Sequence, residues 1–306
     1  MATPESMGIL RPVCIFWVLL SLGASGCTPD GTFQVVHHRA NGCRMDAPEN
    51  ALMGIECIID QCSQGNTPCA LEGDVRLLRI SGGSLGDALE MVWIHDSTTE
   101  RTAHCPNGII TLPGNSPISE SQFASCRLRR LNGTITPHET IPTLNEVLML
   151  IESTPIKLFI ELKGSSDTAL DTRLARQAAL RVDAAGLAAQ TVITSFAPEM
   201  LQVVRETLPG IETACFTPIG QSPIAQGLTV LRGGILNDVD TCLREGSDWV
   251  FVPPWALSGD VVGHIKGLHR GLGVFGADTQ DGFNQVQSWR HRVDVVYADH
   301  PTMYHH

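Results

Sequence analysis

Lysine is scarce in this chain: only Lys157, Lys163 and Lys266 stand among 306 residues, and nearly all the positive charge is arginine. Basic residues are outnumbered, with Lys+Arg 21 against Asp+Glu 32 and a net charge of −11, which excludes the basic face that non-specific nucleic-acid binding requires. Aromatics are few, at 5%, so no aromatic-rich rim advertises entry into a membrane. No apolar run approaches the roughly 20 residues of a membrane-spanning helix. No tight Cys-x-x-Cys pair occurs, which argues against a structural zinc site. Internal repeats and low-complexity tracts are also missing. Disorder is excluded by composition, because 43% hydrophobic against 17% charged residues is enough to build a core.

What is present begins with a targeting signature. Cys14–Leu22 is a short apolar stretch after Arg11, followed by the small residues Gly23-Ala24-Ser25-Gly26 and then Cys27. Residues 1–26 therefore read as a signal peptide rather than part of the fold. Ala24-Ser25-Gly26-Cys27 is similar to a bacterial lipobox, with Ala24 where Leu is usual, so Cys27 is a candidate lipidation site and membrane tether. The expected location is outside the cytoplasm, periplasmic or lipid-anchored to the envelope. Setting Cys14 and Cys27 aside leaves eight cysteines, an even set that suits disulfides in an exported chain. Eight cysteines allow 105 pairings. Of these, Cys105–Cys126 is expected, because both lie in one Gly/Pro/Ser-rich excursion with nothing else nearby to hold it.

The rest of the chain alternates short apolar runs with helical patterns. Strands are expected at Gln34–His38, Ala70–Val75, Leu158–Leu162, Val192–Phe196, Glu212–Phe216, Val250–Val252, Gly273–Ala277 and Val293–Ala298. Helical patterns cover Leu170–Ala185, Pro198–Leu208, Gly259–Leu268 and Asp281–His291. Eight strands alternating with helices imply an α/β fold, a (β/α)8 TIM barrel, over residues 34–301. An extra strand at Met91–His95 and a loop-rich insertion at about 97–141 interrupt it after the second strand.

Chemistry in such a barrel sits at the C-terminal ends of the strands. There the sequence places His37-His38-Arg39, Glu72-Gly73-Asp74, His95-Asp96 and Glu161-Leu162-Lys163. Charges inside apolar strands are costly unless they pair or bind a metal. The two-residue period turns Glu72 and Asp74 to one side of their strand, and the same period turns His37 away from the interior. With Glu161 they offer three hard oxygen ligands, suited to one Ca²⁺ or Mg²⁺ more than to zinc.

These segments resemble, in order, the motifs of the glycerophosphodiester phosphodiesterases. His38-Arg39-Ala40 stands for the family's His-Arg-Gly and Pro48-Glu49-Asn50 for its Pro-Glu-Asn. Glu72-Gly73-Asp74-Val75 is similar to its Glu-x-Asp-Val strand, and His95-Asp96 with Arg101-Thr102 to its His-Asp and Arg-Thr. Ile141-Pro142-Thr143-Leu144-Asn145-Glu146, Glu161-Leu162-Lys163 and Asp294–Pro301 complete the set. The resemblance implies a metal-dependent barrel enzyme that hydrolyses small glycerophosphodiesters to glycerol 3-phosphate and an alcohol. It assigns the metal to Glu72, Asp74 and Glu161, with Glu49 in the same pocket as an accessory ligand or a support to the ligands. It assigns acid/base chemistry to His38 and His95, and phosphate contacts to Arg39 and Lys163. Which histidine is acid and which is base stays open. Phe275 stands where the family often has a Trp against the substrate, and Asp278 replaces an Asn. Ala40 replaces a Gly, so the backbone there must accept a Cβ. Two alternatives remain: a phospholipase-D-like or sphingomyelinase-D-like enzyme on the same barrel, and a catalytically silent surface lipoprotein that uses the fold for binding.

Overall fold

A computed structural model describes residues 33–304 apart from 45, 66–68, 84–85, 115 and 219–233. The expected signal peptide and Cys27 lie outside the described residues. No helix among those described is long and apolar enough to cross a membrane.

Eight parallel strands close on themselves. β1 (Gln34–His37) pairs with β2 (Ala70–Gly83), and β2 with β7 (Lys157–Leu162). The sheet continues through β8 (Thr191–Ser195), β9 (Glu212–Phe216), β10 (Trp249–Val252) and β11 (Gly271–Val274). β12 (Val295–Ala298) then pairs back onto β1, with Val36 opposite Tyr297. This is the expected (β/α)8 barrel. Strand alternation fills its interior: Val36, Ala70, Phe159, Val192, Ala214, Phe216, Phe251, Val295 and Tyr297 form one buried cluster. The opposite faces of the strands pack on the surrounding helices, where Ile55, Leu174, Val204 and Ile265 are fully or almost fully buried. Gly273 has a steric purpose in the lumen, since a Cβ there would lie 2.4 Å from the Phe251 ring.

The helices start where local chemistry supplies acceptors for their first N–H groups. Asp167 caps the helix Thr168–Ala184 by accepting from the Ala169 and Leu170 amides. Thr143 and Glu146 form a reciprocal capping box on Leu144–Ile151, which fixes the helix start foreshadowed by Ile141–Glu146.

The second strand departs from expectation. It runs to Gly83 rather than ending at Val75, and the extra strand is the returning arm of a hairpin, β3 (Gly86–Trp93), antiparallel to it. Beyond Val75 the strand leaves the barrel wall, so its pairing comes from an antiparallel neighbour that a parallel-strand pattern does not reveal. β11 also ends three residues early, where Gly276 turns the chain at φ +69. The segment after β3 carries the two-residue strands β4 (Ala103–His104), β5 (Ile118–Ser119) and β6 (Arg127–Leu128). It has a small core of its own, in which Ala103, Cys105, Leu112, Cys126 and Leu128 pack on Leu78 and Ile94.

Among the described residues, four disulfides join Cys43–Cys57, Cys62–Cys69, Cys105–Cys126 and Cys215–Cys242. The bridge expected within the insertion is among them. Its separation of 21 residues implies a stabilisation of roughly 3 kcal/mol from the restricted unfolded chain. Replacing Cys105 and Cys126 together by Ala should lower the denaturant midpoint by an amount corresponding to that figure, and non-reducing peptide mapping should show the intact bridge in wild type. Free thiols at both positions in protein from an oxidising compartment would refute it.

Candidate active site

The parity of β2 aims Glu72 and Asp74 inward at the C-terminal end of the barrel, and Asp74 sits opposite Glu161 across the β2–β7 pairing. Glu72 and Asp74 are fully buried and Glu161 is 5% exposed. One oxygen from each lies within 4.8 Å of the others. Between the first two, Gly73 lets the Trp93 indole lie flat against the outer side of the strand, where a Cβ would come within 2.1 Å of the ring. The hairpin thus braces the strand that carries the carboxylates. Lys163 lies 3.1 Å from Asp74 Oδ1 and 2.5 Å from Glu161 Oε1. Asn50 donates to Asp74 Oδ2 at 2.9 Å. Glu72 Oε1, in contrast, has no hydrogen-bond partner among the described residues.

Electrostatics separates the three acids. Burial pushes Glu72 up to about 8, and its neighbour Asp74 adds to the rise. Burial also raises Glu161, against the pull of Lys163. Burial acts on Asp74 in the same sense, but Lys163, His95 and Arg39 overcome it and hold Asp74 well below the usual carboxylate range. A crowd of buried like charges with an unpartnered oxygen suits a divalent cation, and the all-oxygen donor set suits Ca²⁺ or Mg²⁺.

The loop after β1 supplies the next layer. Arg39, Ala40 and Asn50 all adopt left-handed backbone, at φ 53, 55 and 59. Ala40 therefore takes the conformation its glycine counterpart would favour, at a cost of about 1–2 kcal/mol. In this turn the Arg39 amide donates to Glu72 Oε2 at 3.0 Å, and the Arg39 guanidinium stands 3.6 Å from Asp74. His38 Nδ1 bonds Asp299 Oδ1 at 2.8 Å, while its Nε2 is 3.9 Å from Glu72. Burial alone would lower this imidazole, but the Asp299 hydrogen bond and Glu72 carry it up to about 9. Asp278 in turn accepts from the Asp299 amide at 2.6 Å, fixing the residue that holds His38. His37 is buried on the other side, with its Nδ1 bonded to the Asn41 carbonyl.

His95 comes from the end of the hairpin. Its carbonyl accepts from Arg76 Nε at 2.7 Å, and its Nδ1 bonds Asp96 Oδ1 at 2.8 Å. Burial lowers its pKa, although Asp74 and Asp96 pull the other way. Phe275 is half-buried at the mouth, edge-on to Phe196 and Phe216. Lys163 reaches over the same Phe196 ring at 6.0 Å.

All the residues singled out in the sequence from His38 to Phe275 thus meet at one end of the barrel. Glu49 has partners other than the carboxylate trio: both its oxygens accept from Arg101, and one lies 3.4 Å from Arg39. Asp299, Asp96 and Arg101 were not singled out as functional, although each lies in a motif segment quoted for the resemblance. Their signal was their adjacency to those motifs, and only the fold shows which side chains they reach.

The barrel is similar to those of several solved glycerophosphodiester phosphodiesterases. A glycerophosphodiester phosphodiesterase from Agrobacterium tumefaciens superposes with a TM-score of 0.59 at 19% identity, over 89% of this chain and 99% of its own. An Oleispira antarctica phosphodiesterase in complex with the product sn-glycerol-3-phosphate gives 0.63 at 19%, over 89% and 95%. A glycerophosphoryl diester phosphodiesterase from Parabacteroides distasonis gives 0.61 at 19%, over 91% and 86%. No family model and no curated protein matches the sequence. At these identities the likeness establishes the shared fold, and the chemistry has to be argued from the side chains.

Proposed function

We propose that the chain is an exported, metal-dependent phosphodiesterase acting on small glycerophosphodiesters such as glycerophosphocholine or glycerophosphoethanolamine. The observation that carries this reading is the buried trio Glu72, Asp74 and Glu161, whose Glu72 Oε1 has no hydrogen-bond partner among the described residues, flanked by His38 and His95, each bonded through Nδ1 to a carboxylate. The trio would hold one Ca²⁺ or Mg²⁺, which supplies charge neutralisation for an anionic phosphodiester. Arg39 and Lys163 add fixed positive charge on the same side, and preorganised cations of this kind stabilise charge developing at phosphorus. The glycerol hydroxyl next to the phosphate is a built-in nucleophile. One imidazole takes its proton and the other protonates the departing alcohol, leaving a cyclic phosphate that water opens to glycerol 3-phosphate.

The geometry favours a division of labour. His38 stands between the carboxylates of Asp299 and Glu72, which favour its protonated form, the form of a proton donor. His95 is hydrogen-bonded to one carboxylate, whose charge Arg101 compensates, and burial beside Lys163 and Arg39 favours the neutral form of a base against the pull of Asp74. Four disulfides support an oxidising compartment. Lipidation at Cys27 would tether the barrel to a membrane.

Purified protein should release glycerol 3-phosphate from glycerophosphocholine. Excess chelator should abolish that release, and Ca²⁺ or Mg²⁺ should restore it. No release with either ion would reject the proposal in favour of a silent binding protein. A marked preference for lysophosphatidylcholine would point instead to the phospholipase-D-like reading.

A further inference from the structure

Arg101 sits on the turn after the hairpin and makes four side-chain hydrogen bonds to two carboxylates. Its Nε and Nη2 donate to Asp96 at 2.7 and 3.0 Å, and its Nη1 and Nη2 donate to Glu49 at 3.0 and 2.6 Å. Asp96 is the residue bonded to His95 Nδ1. Glu49 is only 4% exposed, and it comes from the loop after β1 that also carries Arg39. A continuous line of charge-assisted hydrogen bonds therefore runs from the β1 loop to the His95 imidazole, and Arg101 joins its two halves.

Such a fork has a specific consequence. Asp96 is partly exposed, and a lone aspartate there could rotate away from His95 or turn to solvent. The guanidinium engages both Asp96 oxygens, so the carboxylate keeps one orientation, with Oδ1 toward Nδ1. A carboxylate held on Nδ1 fixes the proton there and leaves Nε2 free to accept one. Glu49 anchors the guanidinium from the far side; the Asn50 amide donates to the Arg39 carbonyl within that loop, and the Arg39 amide donates to Glu72, which ties the loop to the carboxylate trio.

We infer that Arg101 is a positioning residue that fixes the tautomer and orientation of His95 through Asp96, using Glu49 as its anchor. The inference rests on the phosphodiesterase reading for its effect on turnover, but its effect on the imidazole is independent of that reading. Arg101→Gln should lower kcat on glycerophosphocholine by about 10²-fold, the scale of a misplaced catalytic group, with KM almost unchanged. Arg101→Lys should not restore it, because an ammonium cannot hold two carboxylates at once in a planar fork. In the double variant with Asp96→Ala, the loss should be no greater than for Asp96→Ala alone, since both changes break one line of action.

A rise in KM with kcat intact would overturn the inference, because Arg101 would then contact substrate directly. Multiplying losses in the double variant would overturn it too. The nitrogen spectrum of the His95 ring gives a readout free of turnover. Wild type should show the Nδ1–H tautomer and Arg101→Gln a mixture, whether or not the protein hydrolyses glycerophosphodiesters. An unchanged spectrum in the variant would sink the inference even if the phosphodiesterase reading stands. An inactive wild type would sink the phosphodiesterase reading and leave this test in force.

Discussion

Replacing Glu161 or Glu72 by Gln should abolish turnover while the barrel stays folded. Each change removes one charge from a buried trio whose oxygens lie within 4.8 Å of one another, and it leaves the size of the side chain intact. The divalent ion these carboxylates would hold is asked for several kcal/mol of charge stabilisation. Losing about 4 kcal/mol corresponds to roughly 10³-fold in rate at 1.36 kcal/mol per tenfold. Stability should move differently. Without added ion, Glu72→Gln should melt no lower than wild type, because burial pushes the Glu72 carboxyl up to about 8 and the amide removes that penalty. Glu161→Gln, in contrast, should melt lower, because it takes an ion-pair partner from the largely buried Lys163. With added Ca²⁺ or Mg²⁺ the wild type should gain stability by mass action and the variants should gain little. Calorimetry with and without ion, beside the activity assay, checks both halves. Near-normal turnover of either variant at saturating metal would remove these carboxylates from the site.

Much of this site is legible in the sequence because barrel topology converts order along the chain into position in space. Once eight strands alternate with helices, a polar residue at a strand's C-terminal end must face the same rim as its counterparts. Glu72, Asp74, Glu161 and His38 follow from that rule and from the two-residue period. His95 stands at the end of an extra strand outside the eight, so the barrel rule alone does not place it; it reaches the rim through a hairpin whose other arm, Arg76–Gly83, the sequence pattern does not mark as strand. The supporting residues were less legible for a physical reason. Asp299 reaches His38 from 261 residues away, and Arg101 reaches Glu49 across 52. No periodicity encodes such pairings; they arise when the β1 loop, the insertion turn and the closing strand meet at one rim. Glu49 shows the same limit from the other side. Its motif placed it beside the metal ligands, as an accessory ligand or a support to them, and only the fold shows that it faces two arginines.

The histidine pair should carry the second large effect, and the two losses should differ in kind. A positioned acid or base contributes about 10²–10⁴-fold, so His38→Ala and His95→Ala should each fall by that order on glycerophosphocholine. Choline is a poor leaving group that needs a proton as the phosphorus–oxygen bond breaks, whereas a nitrophenolate departs as a stable anion. A glycerophosphodiester with a nitrophenol leaving group should therefore recover much of the rate lost by the variant lacking the acid. His38 is held between Asp299 and Glu72, so the recovered variant should be His38→Ala. His95→Ala should stay slow on both substrates, because the attacking hydroxyl must lose its proton whatever group leaves. Recovery of His95→Ala alone would reverse the two roles without displacing the site. A loss of no more than about tenfold in both variants would show that neither imidazole moves a proton in the reaction, and the mechanism would fall.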